Sequence, residues 1–356
     1  MQVKVAIVIL NWNGKHFLER FLPILLARTL SPAARVVIAD NASSDGSLEF
    51  LREKYPTLQV LAFDKNYGFT GGYNKALRQV GAAYYVLLNS DVEVGEGWLE
   101  PLLEAMEENP QMGACMPKML SLAHPRQFEY AGACGGFIDR LGFPFCRGRI
   151  LSRIEEDHGQ YDAEVPVFWA SGACLMVRSE VYHRLGGLDE AFFAHMEEID
   201  FCWRLQLNGY QVWCIPRAVV WHVGGGTLPN NSPRKLFFNY RNNLYMLYKN
   251  LPRKRCVTLL ALRLGIDCLS GVVYLLQGKW SYAQAVGQAH RAFFSGRGSL
   301  QRTPATLCKR PVWGVYRGWV ILRFFLSRGR LTFSMLDLPA PAVAAPAQHR
   351  RHRRSL

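Results

Sequence analysis

Residues 3–14 read VKVAIVILNWNG, an aliphatic and β-branched run that stops abruptly at Asn11-Trp12-Asn13-Gly14. A strand apolar along its whole length, not on alternate positions only, suits a sheet covered on both faces. Outward from it, helix and strand patterns alternate. A helical pattern spans about Lys15–Arg28, followed by strand-like Arg35–Ala39, helical Ser47–Lys54, strand-like Gln59–Phe63, helical Gly72–Val80 and strand-like Tyr84–Asn89. This βαβαβαβ order predicts an α/β fold with a mostly parallel, doubly wound sheet and helices on both faces. Such sheets bind ligands beyond the carboxyl ends of their strands. The polar residues that close each strand are therefore the ones to read for chemistry.

Four successive strand ends are polar. They are Asn11–Gly14, Asp40-Asn41-Ala42-Ser43-Ser44-Asp45-Gly46, Asp64-Lys65-Asn66-Tyr67-Gly68 leading to Gly71-Gly72, and Asn89-Ser90-Asp91. Asn, Asp, Ser and Gly also make turns and helix caps, and that plain reading suffices for Asp45 or Asn66 taken singly. Four in succession at one sheet edge favour a nucleotide cleft. The chain holds neither a GxGxxG fingerprint nor a GxxxxGK[ST] loop, so dinucleotide and P-loop readings lose support. A sugar nucleotidyltransferase would need a basic, glycine-rich phosphate loop after the first strand, where this chain has Asn-Trp-Asn-Gly.

The middle, about 110–230, is less regular. Trp169–Met176 reads as a turn feeding a buried strand, and Gln211–Ile215 leads to Val219-Val220-Trp221-His222. Asp91 closes a hydrophobic strand, where a carboxylate with diphosphate oxygens and water can hold Mg²⁺ or Mn²⁺. Glu197, Glu198 and Asp200 crowd the start of an apparent helix. The helix dipole accounts for at least one of them. A general base is the sharper reading, because neighbouring negative charge raises a carboxylate's pKa toward the useful range. His222 ends a strand beside Gly224-Gly225-Gly226-Thr227, which suggests a metal or phosphate contact.

The whole chain has 356 residues, 49% apolar and 20% charged, which permits a large core and excludes disordered and collagen-like classes. Nine cysteines without a CxxC pair argue for reduced, buried thiols and against a disulfide scaffold or a zinc module. No charged leader precedes the first strand, which points to a cytosolic compartment. The net charge of +14 is unevenly spread. Residues 231–356 hold 22 Lys and Arg against two acids, a balance of +20, and residues 1–230 hold 20 against 26, a balance of −6. A basic half rich in aromatics suits an anionic surface. A non-enzymatic polyanion binder would leave the acidic, motif-bearing half unexplained, and no nucleic-acid-binding module is recognisable. Segments 256–276 and 311–326 are interrupted by charge and read as interfacial or buried helices, not spans. Phe237, Tyr240, Leu244, Leu247 and Leu251 form an amphipathic stripe expected to pack on the first domain, with Arg241 beside it facing an acceptor. From Pro339 onward, a Pro/Ala-rich and then basic tail is expected to be disordered.

Taken in order, the four strand-end motifs, Ser171-Gly172-Ala173, Gly187–Phe193, Glu197–Arg204 and His222 resemble the inverting family 2 glycosyltransferases of the GT-A fold, close to their rhamnosyltransferase-like branch. The likeness covers about residues 3–250. It implies that Asn11, Asn13, Asp40, Asn41 and Asp45 serve the donor nucleotide, with Asn66, Gly68, Gly72 and Asn89 nearby. Asn89-Ser90-Asp91 stands where the family carries its DxD motif, so Asp91 would supply the main contact to Mg²⁺ or Mn²⁺ and His222 would complete it. Glu198 stands at the place of the catalytic base, with Glu197 or Asp200 as alternatives, and Ser171, Gly172 and Arg241 would meet the acceptor. The implied donor is dTDP-rhamnose or a UDP-sugar, and the implied acceptor a glycan or a polyprenyl-diphosphate-linked hydroxyl. The implied location is peripheral, at the cytoplasmic face of a membrane. The expected organisation is a catalytic domain over 1–230, with a nucleotide half to about 110, a basic helical extension over 231–338 and a tail over 339–356.

Overall fold

The structure, a computed structural model, describes residues 3–129, 132–224 and 232–338. The expected tail and Gly225-Gly226-Thr227 lie outside the described residues. The first third runs β1 (Val5–Asn11), α1 (Lys15–Ala27), β2 (Ala34–Asp40), α2 (Ser47–Lys54), β3 (Gln59–Ala62), α3 (Gly68–Leu77) and β4 (Tyr84–Asn89). Strand β1 lies between β2 and β4, parallel to both, with Asn11 opposite Asp40 and Leu10 opposite Asn89. Alternate residues of β1 enter two different cores. Ala6 and Val8 join one, and Val5, Ile7 and Ile9 join the other. The uniformly apolar run is thus a strand buried on both faces.

The chain continues with β5 (Val92–Val94), α4 (Leu99–Glu108) and the long β6 (Met112–Ser121). It then forms β7 (Gly136–Asp139), β8 (Pro144–Cys146), β9 (Arg149–Ile150) and β10 (Arg153–Ile154), followed by β11 (Val165–Val167) and β12 (Cys174–Arg178). Next come α5 (Ser179–Arg184), α6 (Glu197–Leu207) and β13 (Gln211–His222). The main sheet has the order β11-β13-β6-β12-β4-β1-β2-β3, with β5 paired to β13. The parallel expectation holds for β3-β2-β1-β4 and for β6 with β13. Strand β12 enters antiparallel between β4 and β6. That insertion brings Ala173 to the end of β4, where its carbonyl accepts from Asn89 N–H at 3.0 Å.

The basic half is α7 (Pro233–Asn250), α8 (Arg253–Leu276), α9 (Trp280–Gly296), β14 (Val315–Tyr316) and α10 (Val320–Leu326). A boundary at 230 does not separate two cores. Leu244, Leu247, Phe293, Tyr316 and Phe324 join the same cluster as Val8 and Leu87, and β14 pairs with β7. Helix α7 is buried beyond the stripe that was expected to pack on the first domain. All six residues from Asn242 to Leu247 are buried, while Phe237 and Tyr240 are only half-buried.

Helix α7 also resolves the fate of Asp200, which is a correction to its reading as a candidate base. Asp200 is fully buried and takes Lys249 Nζ at 2.8 Å, Arg204 Nε at 2.8 Å and Asn250 Nδ2 at 2.8 Å. Burial raises its pKa, but Lys249 and Arg204 outweigh burial and hold it below the usual carboxylate range. Its oxygens are committed to a structural ion pair. Because the folded value is depressed, this stability is present above the ordinary carboxylate range and is lost as the pH falls through the depressed value. Lys249 is itself 2% exposed and also reaches Asp189 at 2.5 Å. Lys249→Met should therefore take the shared cation from Asp189 and from Asp200, which keeps Arg204 and Asn250, and cost about 3 kcal/mol, read as a lower urea midpoint and melting temperature.

Candidate active site

The polar strand ends and the start of α6 line one cleft of about 630 Å³. The wall from β1 and β2 is built by side chains bonding to one another. Asn11 Nδ2 donates to Asp40 Oδ1 at 2.9 Å and to Ser43 Oγ at 3.1 Å. Asn13 adopts positive φ and its Oδ1 accepts from Ser44 N–H at 2.7 Å. Asn41 Nδ2 donates to Asn66 Oδ1 and to the Gly68 carbonyl, both at 3.0 Å. Gly68 has φ +70°, and a Cβ there would stand 2.6 Å from the Phe193 ring, so only glycine fits. Of the expected donor residues, Asn13, Asn41, Asn66, Gly68 and Asn89 line the cleft. Asn11, Asp40, Asp45 and Gly72 do not. Asn11 and Asp40 are buried behind the wall. Asp45 accepts from Lys15 N–H at 2.8 Å and from Ser47, tying the starts of α1 and α2. A Cβ on Gly72 would meet Leu10 at 2.7 Å, so this glycine serves close helix–sheet packing.

Asp91, His222 and Glu129 meet on the opposite wall. His222 Nε2 is 3.1 Å from Asp91 Oδ1, and its Nδ1 is 3.3 Å from Glu129 Oε2, all three nearly buried. Burial opposes the imidazolium, but Asp91 and Glu129 overcome it and push His222 up to about 10. Two buried carboxylates thus favour the proton on His222, and a cation would bind its Nε2 only by displacing that proton. Sequence reading missed Glu129, which sits in irregular chain with no motif around it. A Cβ on Gly224 would stand 2.7 Å from Glu129 Oε1, so glycine is needed at that crossing too.

These residues fit a divalent cation. Two cis ligands of an octahedral ion at about 2.1 Å lie about 3 Å apart, close to the separation of Asp91 Oδ1 and His222 Nε2. A carboxylate on the far ring nitrogen is the usual orienting partner of a metal-bound histidine, and Glu129 stands there. Among the described residues no group of three or more His, Cys, Asp or Glu forms a full ligand set. The remaining positions of such an ion would fall to phosphate and water oxygens.

Glu197 and Glu198 open α6 and both line the cleft. Among the described residues neither Oε2 has a hydrogen-bond partner, and both atoms are out of reach of solvent. Burial raises Glu198 to about 7, against its own backbone N–H and that of Ile199. Burial and then the Glu198 charge push Glu197 well above the usual carboxylate range. Ser171 and Gly172 border Glu198, since a Cβ on Gly172 would lie 3.6 Å from Glu198 Cβ.

The turn that presents the two glutamates is strained. Phe193, His195 and Met196 all have positive φ, a region costly for non-glycine residues. Asn242 of α7, fully buried, holds this turn by donating to the carbonyls of Phe192 (2.9 Å), Ala194 (2.8 Å) and His195 (2.7 Å). Arg241 is a correction. It does not line the cleft but donates to Ala191 and Phe192 carbonyls and lies over the Phe237, Phe238 and Tyr245 rings. Arg234, Lys235 and Asn239, earlier on the same helix, line the cleft instead, as do Arg149 and Trp169. No local pattern singled out Arg149, Arg234, Lys235 or Asn239, which approach the cleft from chain remote in sequence from the other motifs.

The family profile described as "Glycosyl transferase family 2" matches residues 6–186. The chain belongs to glycosyl transferase family 2. N-acetylglucosaminyl-diphospho-decaprenol L-rhamnosyltransferase of Mycobacterium tuberculosis (strain ATCC 25618 / H37Rv) is 28% identical over 232 residues, covering 61% of this chain and 75% of that protein. Among solved structures, GalNAc-T7 with UDP, GalNAc and Mn²⁺ superposes with a TM-score of 0.56 at 14% identity, over 71% of this chain and 49% of that one. This glycosyltransferase thus spans about half the length of GalNAc-T7. Mannosyltransferase PcManGT from Pyrobaculum calidifontis, in complex with GDP-Man and Mn²⁺, superposes with a TM-score of 0.50 at 14% identity, over 83% of this chain and 88% of that one. The fold is that of the GT-A glycosyltransferases. Within this glycosyltransferase, replacing Asn242 by Ala takes this donor from the Ala194 and His195 carbonyls, while the Phe192 carbonyl keeps Arg241, and should cost about 2 kcal/mol. Hydrogen–deuterium exchange should rise selectively over residues 192–198, and uniform protection there would refute the clamp.

Proposed function

We propose that this glycosyltransferase moves a sugar from a nucleotide-diphosphate donor to an acceptor hydroxyl with inversion, and that Glu198 is its base. Asn13, Asn41, Asn66, Gly68 and Asn89 face the cleft and would meet the donor. Asn11, Asp40 and Asp45 act from behind by fixing those walls. Asp91 and His222 would hold Mg²⁺ or Mn²⁺, oriented through Glu129. When bound, the ion supplies positive charge where the leaving diphosphate develops negative charge. Glu198, bordered by Ser171 and Gly172, takes the proton of the attacking hydroxyl. Burial and the neighbouring Glu198 charge both push Glu197 upward, which disfavours a second charge beside the base. The displacement is a single step on the face opposite the leaving group, so no covalent nucleophile is required.

The observation that carries this reading is the unpartnered Glu198 Oε2 in the same cleft as the Asp91–His222 pair. The mycobacterial relative's name specifies L-rhamnosyl transfer to a diphospho-decaprenol-linked sugar. For this chain, dTDP-rhamnose is therefore the first donor to test, with UDP-hexoses next. A glycan or polyprenyl-diphosphate-linked hydroxyl is the acceptor, met at the cytoplasmic face of a membrane. A thermal-shift panel of nucleotide sugars with and without Mn²⁺ identifies the donor.

Glu198→Gln should keep the donor-induced shift and lose about 10²–10⁴ of turnover; unimpaired turnover would remove Glu198 from the role. The base works only as a carboxylate, and its folded pKa is raised to about 7. Turnover should accordingly be full above that value and fall about tenfold per pH unit below it. A flat rate from pH 5 to pH 8 contradicts the assignment. Glu129→Gln should weaken Mn²⁺ binding about 10- to 100-fold, as followed by electron paramagnetic resonance titration.

A further inference from the structure

Helix α8 has two unlike faces. By length and composition it could cross a bilayer. Its inner face, however, is locked into the protein by charge. Arg263 and Asp267 are buried, 3.5 Å apart, and Asp267 also faces His290 of α9 at 3.4 Å. Arg263 donates to Asn243 Oδ1 of α7 at 2.7 Å and to the Leu141 carbonyl at 3.1 Å, and its guanidinium lies 3.6 Å from the Phe143 ring. Carrying this pair into lipid would strand charges in hydrocarbon, at a cost of several kcal/mol.

The outer face is the opposite. Val257, Leu262, Leu269, Val272 and Val273 are 44–66% exposed. Leu276, at the end of the helix, is 84% exposed. Trp280 follows at the start of α9, 67% exposed. Trp319, just before α10, shares a groove of about 260 Å³ with Arg255, Leu262 and Arg140, so the start of α10 lies on the same side. Phe325 and Leu326 of α10 are about as exposed as Trp280. Large apolar side chains left exposed together along α8 and beside Trp319 mark an interaction site.

Charge names the occupant. From 253 to 336 the sequence has one acid, Asp267, and it is buried. Arg253, Lys254, Arg255, Lys279, Arg328 and Arg330 are all exposed. Tryptophans and cations around an apolar face match the boundary between lipid headgroups and acyl chains. A second copy of the chain would bring two positive rims together.

We propose that α8 and the start of α10 form a monotopic membrane surface that rests in the headgroup region of an anionic bilayer, with α8 parallel to the membrane plane. The inference deepens the lipid-linked acceptor reading, but its test uses no transfer reaction, so the two can fail separately.

The test uses the full chain and vesicles of phosphatidylglycerol and phosphatidylcholine against phosphatidylcholine alone. Binding should require the anionic lipid and weaken with salt. Leu269→Glu with Val273→Glu should lower partitioning at least tenfold. Reversal of Arg253, Lys254 and Arg255 to Glu should lower it on the order of a hundredfold. These side chains are exposed, and unchanged circular dichroism and melting temperature certify that the variants fold. Depth is read from a fluorophore on Cys268, the one exposed cysteine among the nine. Matched labels go on Val257→Cys and Leu275→Cys in a Cys268→Ser chain. Positions 257 and 275 share a helix face and stand about 27 Å apart along the axis, nearly a hydrocarbon thickness. Quenching by lipids labelled at known depth should place all three probes at one shallow level. A deep probe at 268 with shallow ends would mean a span and overturn the proposal. Equal binding to neutral vesicles, indifference to the Glu substitutions, or no binding by a chain that instead dimerises through this face would overturn it as well.

Discussion

The register of β1 between β2 and β4 governs the rest of the molecule. Because both faces of β1 are buried, a slip of one residue would send Val5, Ile7 and Ile9 into the core now filled by Ala6 and Val8. The two sets differ in volume, so packing specifies the register on both sides at once. The same register sets Asn11 beside Asp40 and Leu10 beside Asn89. Every polar contact of the donor wall starts from that alignment. Asn11 can bond Asp40 and Ser43 only because the ends of β1 and β2 are level, and Asn41 then reaches Asn66 and Gly68 across the end of β3.

Elements set by local periodicity were readable from sequence. The boundaries of α2 and β4 match their expected limits, and those of β2 and β3 shift by one residue. Helix α3 starts at Gly68 and not Gly72, because Asn66 Oδ1 accepts the Gly68 N–H and draws the glycines into the helix. The antiparallel β12 was not legible, since nothing in a strand's own residues states which neighbours it will choose. The site shows the same division. Glu197, Glu198, Asp91 and His222 reach one cleft as their motifs suggested. Asp200, Arg241 and Gly72 sit in the right stretches but point elsewhere. Sequence spacing identifies the neighbourhood, and a turn of helix decides the direction. Glu129 and Asn242 were hidden for a different reason: each acts on residues remote in sequence, through contacts that only the folded chain creates.

Buried acids divide by the cation each receives. Asp200 has Lys249, Arg204 and an amide, and its pKa falls. Asp91 and Glu129 share the imidazolium of His222. Among the described residues Glu197 and Glu198 form no ion pair, and burial raises both pKa values. An uncompensated buried carboxyl is costly, so a fold selected for stability alone would exchange this pair for apolar residues. The strained turn at Phe193, His195 and Met196 adds a second cost at the same place. Both costs are concentrated at the carboxyl proposed as the base, and a base tuned close to neutral pH would require them there.

Two adjacent asparagines on α7 join that turn to the outer helices. Asn242 faces the turn before Glu197 and bonds three of its carbonyls. Asn243 faces the other way, bonding the Gly142 carbonyl through Nδ2 and accepting from Arg263 of α8. Side chains one residue apart on a helix diverge by about 100°, so a single helix can serve both neighbours without bending. The cleft and the exposed face of α8 are consequently separated by packed, hydrogen-bonded structure and not by a linker. A linker would let the cleft tumble relative to any surface that α8 rests on. Rigid packing fixes its height and tilt instead, so an acceptor anchored in that surface would meet Glu198 at a set distance.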